Sequence, residues 1–233
     1  AERKKDEFIS IASHELKTPL TSVKGYVQLL GRSIDKGDNE TVKKHLGKAQ
    51  VQLEKLNSLI ADLLDISKIE SGKLKFNKQD FPIDQLLENI IEVMHQSNPD
   101  FKITKIGNAN CYVYGDEMRI EQVVVNFLTN AIKYSPGTSD ITLTCNVIGD
   151  DLYISVKDKG IGMSVEQQKN VFEKFYRVEE TSQRFQGLGI GLYIASEIVR
   201  RHGGEIGVKS DYGQGSEFYF TIPTKLNTDF DEL

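Results

Sequence analysis

Only two cysteines occur among 233 residues, Cys111 and Cys145. They lie far apart and outside any Cys-x-x-Cys spacing, which argues against both a disulfide framework and a cysteine zinc site. Reduced, buried thiols are the expected state. Long apolar runs are missing too: nothing approaches the roughly 18 residues a membrane-crossing helix needs. The chain does not open with the basic, apolar and small-residue regions of a secretory signal. It also lacks a basic stripe. Lys and Arg total 29 against 34 Asp and Glu, the formal net charge is -5, and the basic residues are scattered, so nucleic acid is not an expected partner. No internal repeat or low-complexity segment is found. What is present is 39% hydrophobic residues, enough for a core in one large domain or two smaller ones. The opening "AERKKDEF" reads as mid-helix, and we expect a fragment whose upstream portion is missing.

The pattern changes near residue 72. Ile9, Ala12, Leu16, Pro19, Val23, Tyr26 and Leu30 alternate spacings of three and four, the stripe of an amphipathic helix. After the polar break "DKGDNET", the series Val42, Leu46, Ala49, Leu53, Leu56, Ile60 and Leu63 repeats the alternation toward Gly72, where a second helix is expected to end. One hairpin cannot cover both wide apolar faces; pairing of two chains into a four-helix bundle would. A plain coiled-coil spacer explains the periodicity equally well. Beyond Gly72, "FPIDQLLENIIEVMHQSN" and "DEMRIEQVVVNFLTNAIKYS" read as helices and "FKITKI" and "CYVYG" as short strands. The stretch "ITLTCNVIGDDLYISVKD" reads as two strands about a Gly-Asp-Asp turn. A helix from about Gly191 to His202 and the strands "GEIGVKS" and "SEFYFTIP" follow. Helices on a mixed sheet in two layers fit this order, and the tail "NTDFDEL" reads as frayed.

"SHELKTPL" places His14 in a helix with Pro19 five residues on. With Leu16 toward the core, the imidazole lies about 200° away and faces water. Thr18 shares its face. Pro19 cannot donate to the Glu15 carbonyl and crowds it, which bends the helix just beyond the histidine. A neutral imidazole can attack phosphorus, and Glu15 could hold the other ring nitrogen. A surface histidine beside a tolerated proline weighs equally on this octet alone.

"NFLTNAIKY" sets Asn126, Asn130 and Lys133 on one helix face with Tyr134 beside them. Amides can ligate magnesium or bond phosphate, and a lysine adds positive charge, although a polar surface face accounts for these residues as well. In "DKGIGM", Asp158 stands at a strand end, and Gly160 and Gly162 let the backbone turn closely about a flat ligand; most such strings are only turns. "GLGIGL" opens a helix with Gly187, Gly189 and Gly191, where free N–H groups favour phosphate. It has neither a P-loop lysine nor the spacing of a dinucleotide fingerprint. "GQGSEF" is most simply a hairpin.

Taken in order, these pieces resemble the catalytic core of the sensor histidine kinases of two-component signalling, over nearly all of residues 5 to 224. "FISIASHELKTPL" resembles the family's H box, "NFLTNAIKY" its N box, "DKGIGM" its G1 box, "FEKFYR" its F box and "GLGIGLYIA" its G2 box. The resemblance implies an α+β chain: a long antiparallel hairpin at 1–72, forming a dimeric four-helix bundle for dimerisation and histidine phosphotransfer, then a two-layer α/β sandwich at 74–224 of the type shared with the gyrase and Hsp90 ATPases, and an acidic tail at 225–233. It implies ATP and Mg2+ as cofactors. His14 would be the phosphoacceptor and Glu15 its orienting acid. Asn126 and Asn130 would be ligands of magnesium and the phosphates, Lys133 a phosphate contact and Tyr134 a nucleotide neighbour. Asp158 would bond the adenine amino group. Gly160, Gly162, Gly187, Gly189 and Gly191 would shape the pocket and a lid from about Arg177 to Gln186, with Arg177 and Arg184 in reach of the γ-phosphate. Many relatives read Gly-Gly-Thr-Gly-Leu-Gly-Leu where this chain reads Gln186, Gly187, Leu188, Gly189, Ile190, Gly191, Leu192.

The implied activity is autophosphorylation of His14 followed by transfer to an aspartate of a response-regulator receiver domain. Phosphatase action toward that partner is implied as well, with Thr18 placing a water. The implied location is cytoplasmic, as part of a larger sensor protein that is either free or membrane-anchored. Two other classes stay in view: an ATP-driven conformational machine of the gyrase or Hsp90 type, which leaves His14 unexplained, and a signalling scaffold, which leaves the Asn126, Asn130, Asp158 and glycine set unexplained.

Overall fold

The computed structural model describes residues 2–178 and 187–224, with side chains from residue 8 onward. The chain divides between Lys73 and Leu74 into two compact units, with residues 187–190 grouped with the first. The expected acidic tail at 225–233 lies outside the described residues.

The first unit is a helical hairpin of α1 (Glu2–Asp35) and α2 (Asn39–Glu70), as the two apolar series predict. Gly37 makes the reversal with φ of 68°, and Asp38 caps α2 by accepting a 3.1 Å hydrogen bond from the Thr41 amide. That bond satisfies an N–H that the helix itself cannot. At the far end Gly72 takes φ of 67°. Its amide donates to the Ile69 carbonyl at 3.1 Å, and the Lys73 amide donates to the Lys68 carbonyl at 2.8 Å. This pair of bonds is the Schellman termination, which a glycine adopts without a Cβ penalty. Ala12, Pro19, Ala49, Leu59, Ile66 and Ile69 are buried, yet Leu20, Val27, Ile34, Leu46, Leu53 and Ile60 are each more than 40% exposed. Part of the apolar periodicity is therefore left exposed among the described residues.

The second unit begins with β1 (Gln79–Pro82) and α3 (Ile83–Ser97), followed by β2 (Lys102–Ile106), β3 (Tyr112–Gly115) and α4 (Glu117–Lys133). Next come β4 (Asp140–Ile148), β5 (Asp151–Lys157), α5 (Val165–Asn170), α6 (Gly191–Arg201), β6 (Glu205–Asp211) and β7 (Gly215–Pro223). Five strands form one mixed sheet in the order β2-β4-β5-β7-β6, and β1 pairs with β3 in a separate ribbon. Only the β2–β4 pair is parallel. Alternation along β4, β5 and β7 turns Leu143, Cys145, Ile154, Val156, Phe218 and Phe220 to one face. There they meet the buried sides of α4 and α6, among them Val124, Phe127, Ile194 and Ile198. Phe127 lies with ring centroids 5.6 Å from Phe218 and 6.1 Å from Phe220. Helices thus cover one sheet face, the two-layer arrangement expected.

Three details depart from the sequence reading. β1 is a strand the pattern does not reveal, because only four residues form it and Pro82, whose ring fixes φ near -77°, closes it and caps α3 in one residue. α5 is a short helix within "SVEQQKN", begun by a capping box in which Ser164 and Gln167 each bond the other's backbone amide. Cys145 is buried, and burial pushes its thiol up to about 12. Cys111 is only half-buried, so the expectation of two buried thiols is corrected: Cys111 sits where the loop before β3 meets solvent.

His202, just past α6, ties this unit together. Its Nε2 accepts from the Asp116 amide at 3.0 Å, and its Nδ1 lies 2.8 Å from the Ile198 carbonyl. An N–H can only donate and a carbonyl only accept, so the ring is neutral with its hydrogen on Nδ1. Burial first, and the nearby Lys78 charge, hold its pKa below 6.5, against smaller opposing effects of the Ile198 carbonyl and Asp116. In the unfolded chain the ring protonates near the ordinary value, while in the fold it resists. The His202 contribution is therefore complete above pH 6.5 and is lost as pH falls from there toward the lowered folded value. Thermal melts between pH 7.5 and 5 check this: the wild-type midpoint should fall with acidity more steeply than that of His202→Gln.

Candidate functional site

α1 carries His14 outward. The imidazole is exposed and the adjacent Glu15 carboxylate is buried, 8% exposed, as a 100° step round the helix requires. Buried Pro19 leaves the Glu15 carbonyl without its usual helical donor. Around this break, side-chain hydroxyls turn back onto the backbone. Thr18 Oγ1 donates to the His14 carbonyl at 3.1 Å, Thr21 Oγ1 to Lys17 at 2.8 Å and Ser22 Oγ to Thr18 at 3.1 Å. Such back-bonds loosen and bend a helix, and His14 begins the series.

In the second unit the chemistry gathers at the C-terminal half of α4. Val123, Phe127, Leu128 and Ala131 face the core, which leaves Asn126, Asn130 and Lys133 half-buried on one flank. Asn130 Nδ2 donates to Asn126 Oδ1 at 3.1 Å, so the two amides hold each other's orientation. The start of α6 presses against them: a Cβ on Gly191 would lie 2.1 Å from Asn126 Nδ2. Lys133 Nζ stands 4.7 Å from the centre of the Tyr134 ring, a cation–π contact.

Tyr134 links α4 to the loop after β5, because its carbonyl accepts from the Ile161 amide at 3.1 Å. Asp158 opens that loop, 4% exposed. Its Oδ1 accepts from the Gly160 amide at 2.7 Å and the Ser216 amide at 3.2 Å. Among the described residues no hydrogen bond falls on Oδ2. Burial pushes the carboxyl above its ordinary value, and these two amides, with the nearby Ser135 hydroxyl, partly offset the shift. The Ser135 Oγ is itself buried without a formed hydrogen bond. A carboxylate out of water needs compensation, and here backbone amides supply it in place of a cation. The glycines follow from crowding. A Cβ on Gly160 would meet the Tyr134 carbonyl at 2.1 Å, and one on Gly162, whose φ is 64°, the Asp211 carbonyl at 2.0 Å.

Asn126, Asn130, Lys133, Tyr134, Asp158, Gly160, Gly162 and Gly191 are thus parts of one unit and line one region of it. Gly187 and Gly189, with φ of 147° and 69°, belong to the segment grouped with the helical unit. Arg177 is described and half-buried; Arg184 and the lid beyond residue 178 lie outside the described residues. Sequence reasoning missed Ser135 and Ser216. The second was legible only through strand register, since pairing of Lys157 with Glu217 sets the Ser216 amide beside Asp158.

Two family models match in succession: His Kinase A (phospho-acceptor) domain over residues 4–72, and Histidine kinase-, DNA gyrase B-, and HSP90-like ATPase over residues 115–226. The chain belongs to the sensor histidine kinases and comprises the catalytic core of that family. Its sequence is 35% identical over 239 residues to the sensor histidine kinase WalK of Bacillus subtilis (strain 168), covering 99% of this chain and 39% of that protein. In structure it is similar to full-length ShkA in complex with AMPPNP, with a TM-score of 0.65 and 26% identity over 94% of this chain and 46% of that one. The histidine kinase ThkA, solved in complex with the response regulator TrrA, shares the fold, with a TM-score of 0.62 and 23% identity over 95% and 64% of the two chains. The chain spans well under two thirds of its WalK relative.

The two glycine classes of the site separate in a stability measurement. Gly162→Ala meets both a positive φ and a backbone carbonyl, whereas Gly213→Ala meets only a φ of 79° with nothing within 4 Å. By denaturant unfolding, Gly213→Ala should cost about 1 kcal/mol and Gly162→Ala about 2–3 kcal/mol or more.

Proposed function

We propose that this chain is an ATP-dependent protein-histidine autokinase that phosphorylates its own His14 and passes the phosphoryl group to an aspartate of a response-regulator receiver domain. The observation that carries the reading is Asp158: a carboxylate 4% exposed, compensated through Oδ1 by backbone amides and able to accept a ligand's amino group on Oδ2. A core position does not call for such a group, and an adenine amino group answers it. The ATP-driven machine and the scaffold are less economical, since neither uses both Asp158 and an exposed His14.

In this reading the triphosphate runs from Asp158 along the α4 flank, with Tyr134 beside the nucleotide and Lys133 offsetting phosphate charge. Amide oxygens of Asn126 and Asn130 are hard donors that suit magnesium. No cluster of three His, Cys, Asp or Glu residues competes for a metal among the described residues, and magnesium commonly takes few protein ligands beside substrate phosphates. When bound there, it supplies further neutralisation of the triphosphate. Gly160, Gly162, Gly187, Gly189 and Gly191 shape the pocket and a lid from about Arg177 to Gln186 that excludes water, with Arg177 and Arg184 reaching the γ-phosphate. The His14 ring nitrogen with the free lone pair attacks the γ-phosphorus in line, the bond to the β-phosphate oxygen breaks, and ADP leaves. Glu15 orients the ring, and in the separate phosphatase reaction Thr18 places a water that hydrolyses the aspartyl phosphate of the response regulator, releasing phosphate. Two chains pair through the exposed apolar stripe of the hairpin into a four-helix bundle. The parent is a larger sensor protein whose kinase portion is cytoplasmic; no described helix here is long and apolar enough to cross a membrane.

Incubation with γ-labelled ATP and magnesium tests the activity. Acid-labile label should appear on the wild-type chain and be absent from His14→Gln; equal, acid-stable label on both would end the kinase reading. Asp158→Asn exchanges an acceptor for a donor at Oδ2 or Oδ1, and should weaken ATP-analogue binding about 10–100-fold by titration calorimetry. Pairing is checked by sedimentation: Leu53→Glu with Ile60→Glu, seven residues apart on α2, should convert a species of twice the chain mass to one of single mass.

A further inference from the structure

The connection between the two units is short, and both of its sides are fastened. On the α2 side, the bonds from Gly72 to Ile69 and from Lys73 to Lys68 make residues through Lys73 part of the helix termination. Ser71 Oγ adds a 2.9 Å bond to the Ser67 carbonyl. On the other side, Leu74, Phe76, Asn77, Lys78 and Gln79 are each held to the second unit. Arg201 Nη1 donates to the Leu74 carbonyl at 3.0 Å. The Arg201 guanidinium lies 5.7 Å from the Phe76 ring centre, and that ring meets His202 edge-on at 5.3 Å. The Asn77 amide donates to Asp116 Oδ2 at 2.8 Å, Lys78 Nζ donates to the Arg201 carbonyl at 3.0 Å, and Gln79 enters β1 opposite Gly115.

We infer that the hinge of this kinase core is one junction, Lys73–Leu74, and that Arg201 is the positioning residue that confines it there. Without the Arg201 side-chain contacts, which reach Leu74 and Phe76, residues 74–76 become a free tether ahead of Asn77, and the orientations open to the ATP-binding unit multiply. An in-line attack depends on a narrow set of orientations, so a longer tether lowers the fraction of encounters that react. The clamp sits at the last turn of α6, whose first residue, Gly191, packs on Asn126. One rigid helix therefore joins the N-box flank to the hinge. Arg201 acts through Leu74 and Phe76 and touches no substrate.

The effect on His14 rests on the autokinase reading, and two readouts keep the inferences separable. The first is limited trypsin digestion of the whole chain. Lys73, Lys75 and Lys78 offer cleavage sites, yet wild type should be cut there no faster than within its folded elements, whereas Arg201→Ala and Phe76→Ala should be cut after Lys75. Rapid cleavage of wild type across 73–78 would overturn the single-junction inference whatever the kinase result. The second is the rate of His14 labelling at saturating ATP beside the affinity for an ATP analogue. Arg201→Ala should lower the rate about tenfold or more with affinity changed less than twofold, and Arg201→Lys, which keeps a donor for Leu74, should recover part of it. An unchanged rate in variants that trypsin shows to be loosened would overturn the positioning role. Failure of wild type to take label, with residues 73–78 resistant, would overturn the autokinase reading and leave the junction standing.

Discussion

Burying a carboxylate costs several kcal/mol unless donors meet it, and Asp158 makes that demand in the second unit. The donors are two main-chain amides, those of Gly160 and Ser216, so the carboxylate can be met only if the loop after β5 and the start of β7 lie where they do. Gly160 must turn against the Tyr134 carbonyl, and Gly215, with φ of 97°, against the Asp158 carbonyl. Both conditions fix the end of α4 relative to the sheet. Once α4 is fixed, its amide flank follows, because Asn126 and Asn130 lie one turn apart on a helix whose other side is Phe127 and Leu128. The site is a consequence of how one acid is accommodated.

The helical unit solves a different problem. In the proposed reaction His14 is the nucleophile, and a nucleophile that meets a phosphorus atom has to stand in water until it reacts. His14 is exposed, and the turn that follows it has lost one backbone donor at Pro19 and has hydroxyls bonded back to carbonyls at His14, Lys17 and Thr18. The hairpin presents an apolar stripe that is exposed at Val27, Leu46, Leu53 and Ile60. A monomer with this surface is liable to self-association, and the proposed pairing with a second copy brings matching periodicity to it.

Much of this was legible from residue order alone. Three- and four-residue spacing gave both long helices, alternation gave β4, β5, β6 and β7, and the offset between His14 and Leu16 put the imidazole in solvent. Spacing also put Asn126, Asn130 and Lys133 on one flank. Contacts that depend on distant residues finding one another were not legible. The Asp158–Ser216 bond joins residues 58 apart in sequence, and the Asp116–His202 bond joins residues 86 apart; no local pattern encodes either. β1 escaped because four residues carry too few alternations, and α5 because its capping box sits among glycines and polar residues that read as loop. His202 read as the last residue of a helix, and its ring instead bridges α6 to the cap of α4.

In the proposed reaction, dividing the chemistry between two units has a physical consequence. A γ-phosphoryl group beside a permanently adjacent nucleophile would be consumed at once, and one beside open water would be lost to hydrolysis. Holding nucleotide and histidine on bodies joined by a narrow hinge makes the reactive geometry a minor population whose size sets the rate. The conformations open to such a hinge depend on how many residues are free to turn, and here the Schellman bonds on one side and Arg201, Phe76 and Asp116 on the other leave few.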